Sequence, residues 1–402
     1  MKQYCYRDRK LIIHNVDIVT PTGIIEDSGL LIEDSIISAI GNISTNEPGE
    51  HIDGGHQLVM PGFIDLHSDA LEKYIEPRAG SMFPLPTAIL EFDKTLAACG
   101  ITTMYHCICF AYDDSIGREL RSNKMAVTII NELEKLKNWL RVKTKKHIRF
   151  DVLNKEAADD IISLMENRQV DLLSFIDHTP GQGQYRDPEV LREKFSKEWK
   201  LSDKEIDLLL EERMNKQKRI DWKGLDRIAD IATRYDVAMA SHDDDSREKV
   251  SWAEKMGVGI SEFPVCAKAI EAAKEKGLLT VFGAPNVLRG KSQSGNLGAT
   301  EEVLAGNADI LASDYSPMSL LHAIFKLNRQ DDVPLHEAVW LVSLNPAKAV
   351  GIDKKTGSVE IGKDADLILV NTYSRVPHVT MTITGGEITY RTNCPGGIEK
   401  AA

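Results

Sequence analysis

Residues Val59–Glu72 read VMPGFIDLHSDALE, and this stretch decides the fold. Pro61-Gly62 punctuates its entry, and Phe63, Ile64 and Leu66 give it the character of a short buried strand. The strand ends in His67 and Asp69, two residues apart. On extended backbone that spacing puts both side chains on one face. An imidazole nitrogen and a carboxylate oxygen can then address one cation. The plainer reading is a buried histidine paired with an aspartate at a strand end. Later segments favour the metal.

The chain is long enough, at 402 residues with 42% hydrophobic composition, for one large domain with an appendage or for two to three ordinary domains. With 49 Lys+Arg against 61 Asp+Glu, the formal net charge is -12. That argues against nucleic-acid binding but leaves room for a local basic pocket. The six cysteines make neither a disulfide framework nor a paired CxxC zinc pattern. No apolar run is long enough to cross a bilayer, and MKQYCYRDRKLI lacks the apolar region of a signal peptide. The expectation is a cytoplasmic protein without a membrane partner.

The two ends of the chain are rich in short strands and Gly turns. Leu11–Val19 reads as a strand, Gly29–Ile40 as a strand pair and His51–Leu58 as a turn at Gly54-Gly55; GSVEIGKDADLILV (357–370) and VTMTITGGEITY (379–390) read as further strands. Neither end makes a convincing core alone. Packed together, residues 1–58 and 357–402 form a small composite β-sandwich domain. Between them strands and helices alternate, including strands at Ile101–Cys109, His147–Leu153, Asp171–Ile176, Val237–Ser241, Gly259–Phe263, Leu278–Phe282 and Asp309–Ala312. This α/β pattern predicts a (β/α)8 TIM-like barrel over 59–356, with a charged helical insertion at about 186–218. Leu335–Val350 reads as one late helix broken at Asn345-Pro346.

In such a barrel, residues just after the strands converge at one mouth. His178 in LLSFIDHTPGQ, His242 in VAMASHDDD and Asp314 in ADILASDYSP occupy that position, as do His67 and Asp69. One buried histidine has many explanations; the recurrence points to a metal hydrolase centre. The ligand types suit Zn, Mn or Mg without choosing among them. Asp314 can bind metal, accept a proton from water, or do both at different steps, with His242 beside it. A second ion needs a bridging group, for which Asp151, Lys155 and Glu156 are the options. Gly283–Gly298 (GAPNVLRGKSQSGNLG) reads as a polar strand-end loop. Its Asn286, Arg289, Lys291, Ser292 and Ser294 could cradle phosphate oxygens, and Lys73, Arg78 and Arg186 could extend that anion pocket. There is no Walker loop and no dinucleotide fingerprint.

The ordered set PGFIDLHSDALEKYIEPR, ACGITTM, SFIDHTPGQGQYRD, ASHDDD, EFP, GAPNVLRGKSQSGN and SDYSP resembles the amidohydrolase superfamily. Within it, the set is most similar to the alpha-D-ribose 1-methylphosphonate 5-triphosphate diphosphatases of the carbon–phosphorus lyase pathway. The resemblance spans nearly the whole chain. It implies a metal-dependent barrel, with His67, Asp69, His178 and His242 as metal ligands and Asp314 as the late catalytic aspartate. It also implies cleavage within a ribosyl 5-triphosphate to pyrophosphate and the 5-phosphate, and homo-oligomerisation. Asp69 stands where the wider superfamily usually has a second His. The subgroup's carboxylate in the strand before His178 has no clean counterpart here, with Val152 or Leu153 near its place. Hydrolysis of a C–N bond, by a cyclic amidase or a deaminase, is the alternative for the same centre.

Overall fold

The computed structural model describes residues 10–111, 119–177, 179–183, 188–199, 201–218, 220–290, 297–373 and 375–392. Its first four strands are β1 (Lys10–Thr20), β2 (Gly23–Glu33), β3 (Ile36–Gly41) and β4 (Glu50–Pro61). Eight more follow: β5 (Phe63–Ser68), β6 (Ile101–Phe110), β7 (Lys143–Asp151), β8 (Leu172–Ile176), β9 (Ala238–His242), β10 (Ile260–Glu262), β11 (Leu279–Gly283) and β12 (Ile310–Ala312). The last three are β13 (Leu367–Asn371), β14 (His378–Thr384) and β15 (Glu387–Arg391).

Strands β5 to β12 pair in sequence order, all parallel, with helices in the connections. The ring closes at its carboxyl end, where Ser68 bridges Asp314. Asp314 N–H donates to the His67 carbonyl at 2.9 Å, and Asp69 N–H donates to the Asp314 carbonyl at 2.9 Å. Alternation along each strand sorts the side chains. Ile64, Leu66, Tyr105, Leu172, Ala240, Ile260, Val281 and Ile310 fill the barrel, while Met104, Ile108, Ile148, Phe150, Leu173 and Phe175 face the helices. This is the TIM-like barrel expected from the alternating pattern.

The terminal strands form one mixed sheet in the order β15-β14-β13-β4-β1-β2-β3, parallel only between β1 and β4. Its own core takes Leu11, Ile13, Val16, Leu30, Ile32, Ile37, Leu367, Leu369 and Ile383, from strands at both ends of the chain. Val19, Met60, Ile368 and Val379 face the other way and join the core around the barrel.

Some expectations are corrected. His51–Leu58 is strand, not turn: Gly54 and Gly55 sit in a bulge opposite His14 to Val16, where a Cβ on Gly54 would lie 2.1 Å from the Val16 side chain. The third barrel strand begins at Lys143, four residues before the predicted start, because Lys143 and Lys145 pair with Asp364, Asp366 and Asp171 at the barrel's lower rim. The late helix is two, Leu335–Trp340 and Leu344–Ala349. The break precedes Asn345-Pro346, and Pro346 falls in the second helix's first turn, where its missing N–H costs nothing. The charged insertion is helical where described, over Pro188–Trp199 and Asp203–Gln217. Among the described residues no helix is long and apolar enough to cross a membrane.

Candidate metal centre

The strand ends are turned outward by one repeated device. Asp243, Phe263 and Asp314 have φ of 53°, 53° and 56°. Each donates its N–H to a neighbouring strand: Asp243 to the Glu262 carbonyl (2.8 Å), Phe263 to that of Val281 (2.9 Å) and Asp314 to that of His67 (2.9 Å). Aspartate tolerates the left-handed region; phenylalanine does so at a cost. The Phe263 ring rests on both His67 and His242, with centroids 4.9 Å and 5.3 Å away.

His67, His242 and Glu262 are buried, and their donor atoms lie within 4.8 Å of one another. His67 Nδ1 is 3.0 Å from Glu262 Oε1. An ionised carboxylate only accepts, so the ring carries its proton on Nδ1 and leaves Nε2 with a lone pair. Burial, then Arg149 and His242, hold His67 well below the usual histidine pKa, so it stays neutral, as a metal ligand must. His242 Nδ1 lies 3.0 Å from Asp243 Oδ2. Burial raises the Asp243 carboxyl, but His242, Lys249 and Arg149 outweigh it and bring the pKa below the ordinary value.

Below this group lies a second one, His67 with Cys107 and His147. His147 Nδ1 donates to the Leu66 carbonyl at 2.9 Å, and its Nε2 lies 2.5 Å from Ser174 Oγ. The Ser174 hydroxyl donates to Glu262 Oε2 at 2.5 Å. Burial pushes His147 down to about 3 and the Cys107 thiol well up, away from the thiolate that metals prefer. Both groups are candidate divalent-metal sites, and the buried imidazoles of the upper one, with a carboxylate behind the His67 ring, fit such an ion. The lower group reads as hydrogen-bonded support.

The sequence-selected residues fare differently. His67, Asp69, His242 and Asp314 meet at the mouth through the contacts above, although neither tight donor group includes Asp69 or Asp314. Burial and then the Asp69 charge raise Asp314 to about 6, against the opposing pull of Arg149 and His242. Lys73 is exposed at the rim, 5.0 Å over the Tyr315 ring. Arg78 is exposed in a turn with Ser81. The expected loop 283–298 begins instead as helix Ala284–Arg289, started by Pro285 and ended at Gly290. Asn286 is half-buried beside Gly283, and Arg289 is exposed at the helix end. His178, Arg186, Lys291, Ser292 and Ser294 lie outside the described residues. Of the bridging options, Asp151 is buried on the inward row of β7, whereas Lys155 and Glu156 are exposed. His106 packs outside the barrel against Phe92.

Sequence reasoning missed Glu262, His147, Ser174 and Arg149. The alternation of His147, Arg149 and Asp151 was the available signal: it sets all three on one strand face. Arg149 is 8% exposed, with Nη2 3.4 Å from His242 Nε2 and Nη1 3.9 Å from Asp69 Oδ2. Its Nε is buried without a hydrogen-bond partner among the described residues. A cavity of about 610 Å³ lies between Phe175, Trp222 and Trp252 and the segments after β8 and β9 that carry Asp177 and Asp245, and no residue of either donor group lines it.

The profile described as the Amidohydrolase family matches residues 183–389. Alpha-D-ribose 1-methylphosphonate 5-triphosphate diphosphatase of Escherichia coli (strain K12) is 32% identical over 371 residues, 92% of this chain and 97% of that protein. Imidazolonepropionase of Picrophilus torridus is 22% identical, over 89% of this chain and 90% of that protein. Among solved structures, dihydropyrimidinase from Brevibacillus agri superposes with a TM-score of 0.65 at 15% identity, covering 95% of each chain, a likeness of fold.

Proposed function

The chain belongs to the amidohydrolase family, a family of metal-dependent hydrolases, and on that premise we propose that it cleaves a phosphoanhydride bond. The substrate in this reading is alpha-D-ribose 1-methylphosphonate 5-triphosphate or a related ribosyl 5-triphosphate, and the products are pyrophosphate and the ribosyl 5-phosphate. The observation that carries it is Arg149: a buried guanidinium at the mouth whose described contacts are all longer than the 2.7–2.9 Å typical of charge-assisted bonds. Such donors suit phosphoryl oxygens. The near full-length similarity to the diphosphatase supports the same substrate class.

A divalent ion, when bound, supplies activation of water and polarisation of the electrophile. His67 would hold and orient it through the ring nitrogen turned away from Glu262, with Glu262 fixing the His67 ring. Asp314, with its raised proton affinity, takes the proton from the attacking water. Arg149 steadies charge gathering on the phosphoryl oxygens. Attacking and leaving oxygens stand in line, and no Ser or Cys nucleophile is required.

Hydrolysis of a C–N bond has the wider support among relatives. The family description and the similarity to an imidazolonepropionase both favour it. Product analysis separates the two. Metal-stripped protein, resupplied with single divalent ions, is given a ribosyl 5-triphosphate, a cyclic amide and an aminopurine. Pyrophosphate release upholds the phosphoanhydride reading; ammonia or a ring-opened product without pyrophosphate replaces it.

A further inference from the structure

Arg149 rises from the inward face of β7 into the space between two groups that would otherwise face a cation. Asp69 Oδ2 is 3.9 Å from Nη1, and His242 Nε2, on the ring edge opposite Asp243, is 3.4 Å from Nη2. His67, His242 and Glu262 form the buried donor group beside it. A guanidinium stays charged under all working conditions. A second dication placed between Asp69 and His242 would therefore meet a fixed like charge in a water-poor site. Arg149 also keeps donors in reserve, since its Nε has no described partner and both terminal contacts are long.

We propose that Arg149 stands in the place of a second metal ion. The centre then holds one divalent ion on the His67 side, and the guanidinium is the second positive charge that grips the substrate's phosphoryl oxygens. The gripping half rests on the phosphoanhydride reading above; the one-ion half does not.

The test is metal counting joined to anion binding. Wild-type protein, Arg149→Lys and Arg149→Met are dialysed to equilibrium against Zn or Mn, and bound ion is measured by elemental analysis. Pyrophosphate binding is then followed by calorimetry, with circular dichroism as the check on folding. The expected count is one ion per chain in the wild type and in Arg149→Lys. Arg149→Met takes up a second ion, because Asp69 and His242 are released. Pyrophosphate affinity falls about 10- to 100-fold in Arg149→Lys, which keeps the charge and loses the fork. Two tightly held ions in the wild type overturn the proposal, and this needs no variant to fold. Unchanged pyrophosphate affinity in a folded Arg149→Lys overturns the gripping role. One ion in the wild type, two in Arg149→Met and no pyrophosphate binding in either would uphold the one-ion assignment and remove the phosphoanhydride reading instead.

Discussion

Replacing Glu262 with glutamine tests the centre at its most buried point. The carboxylate is fully enclosed, accepts from His67 Nδ1 at 3.0 Å and from the Ser174 hydroxyl at 2.5 Å, and has no exit to solvent. In Glu262→Gln the amide oxygen can still accept from His67, while the amide nitrogen donates to Ser174, whose hydroxyl then turns to His147 Nε2. Only the second amide N–H is left without an acceptor, so the metal-free protein should unfold within about 1–3 kcal/mol of wild type. What is lost is the negative charge behind the ring, which raises the ligand strength of Nε2. Loss of such a partner lowers metal affinity about 10- to 100-fold, or ~1.4–2.8 kcal/mol. Glu262→Ala strands the His67 N–H and the Ser174 hydroxyl, at about 1–3 kcal/mol each, and should unfold early even without metal. The assay is competition against a chromophoric chelator at fixed pH, with thermal unfolding of the metal-free proteins alongside. Unaltered metal affinity in Glu262→Gln would refute the argument. So would a loss far beyond a thousandfold, which would make the carboxylate itself a ligand.

Three further outcomes follow from the same geometry. His106 is buried against Phe92, and burial lowers its pKa from 6.5 to about 3. The native state keeps it neutral while the unfolded chain protonates it, so stability is lost as pH falls from 6.5 towards 3. At pH 5 the cost is about 2 kcal/mol, and denaturant titrations at pH 7 and pH 5 should show His106→Leu relieved of it. In Gly62→Ala the new Cβ would lie 2.2 Å from the Thr102 side chain, costing about 1–3 kcal/mol by overpacking. Adding Thr102→Ala should recover much of that in a double-mutant cycle, and strict additivity would count against the clash. Asp314→Asn removes the proton acceptor and should lower kcat about 10²- to 10⁴-fold, with metal content by elemental analysis showing whether the ion is retained.

The parts of the fold legible in the sequence were those where burial and polarity change abruptly. His67, His242 and Asp314 each close an apolar run, so their placement at the mouth followed from the strands alone. The row of β7 was harder to read. Lys143, Lys145, His147, Arg149 and Asp151 share one face, but the face passes from the lower rim through the interior to the mouth, and its charges resemble those of an exposed strand. Glu262 ends a strand of three residues, too short for alternation to declare a phase. The helix at Ala284–Arg289 was obscured by the flanking Gly283 and Gly290, although Pro285 is a residue suited to a first turn. Terminal strand pairing was legible in kind, since two β-rich ends without cores needed each other; the bulge at Gly54-Gly55 was not, because a Gly pair reads as a turn until the partner strand is known.

The closure of the barrel at Ser68 and Asp314 bears on how the protein is made. Ser68 Oγ donates to the Asp314 carbonyl across 246 positions of sequence, and His67 meets Glu262 across 195. Contacts of such span form slowly, because the intervening chain must be ordered before they yield anything. On a ribosome, His67 emerges long before the residues that hold its ring and close its strand against the mouth. A nascent chain of about 260 residues would carry His67 with the strand edge that meets Asp314 unpaired and its Nδ1 proton unclaimed, a half-built strand open to wrong partners. Assembly of the metal centre therefore marks the end of folding, and tight metal uptake during synthesis should appear only after the final third of the chain has been released.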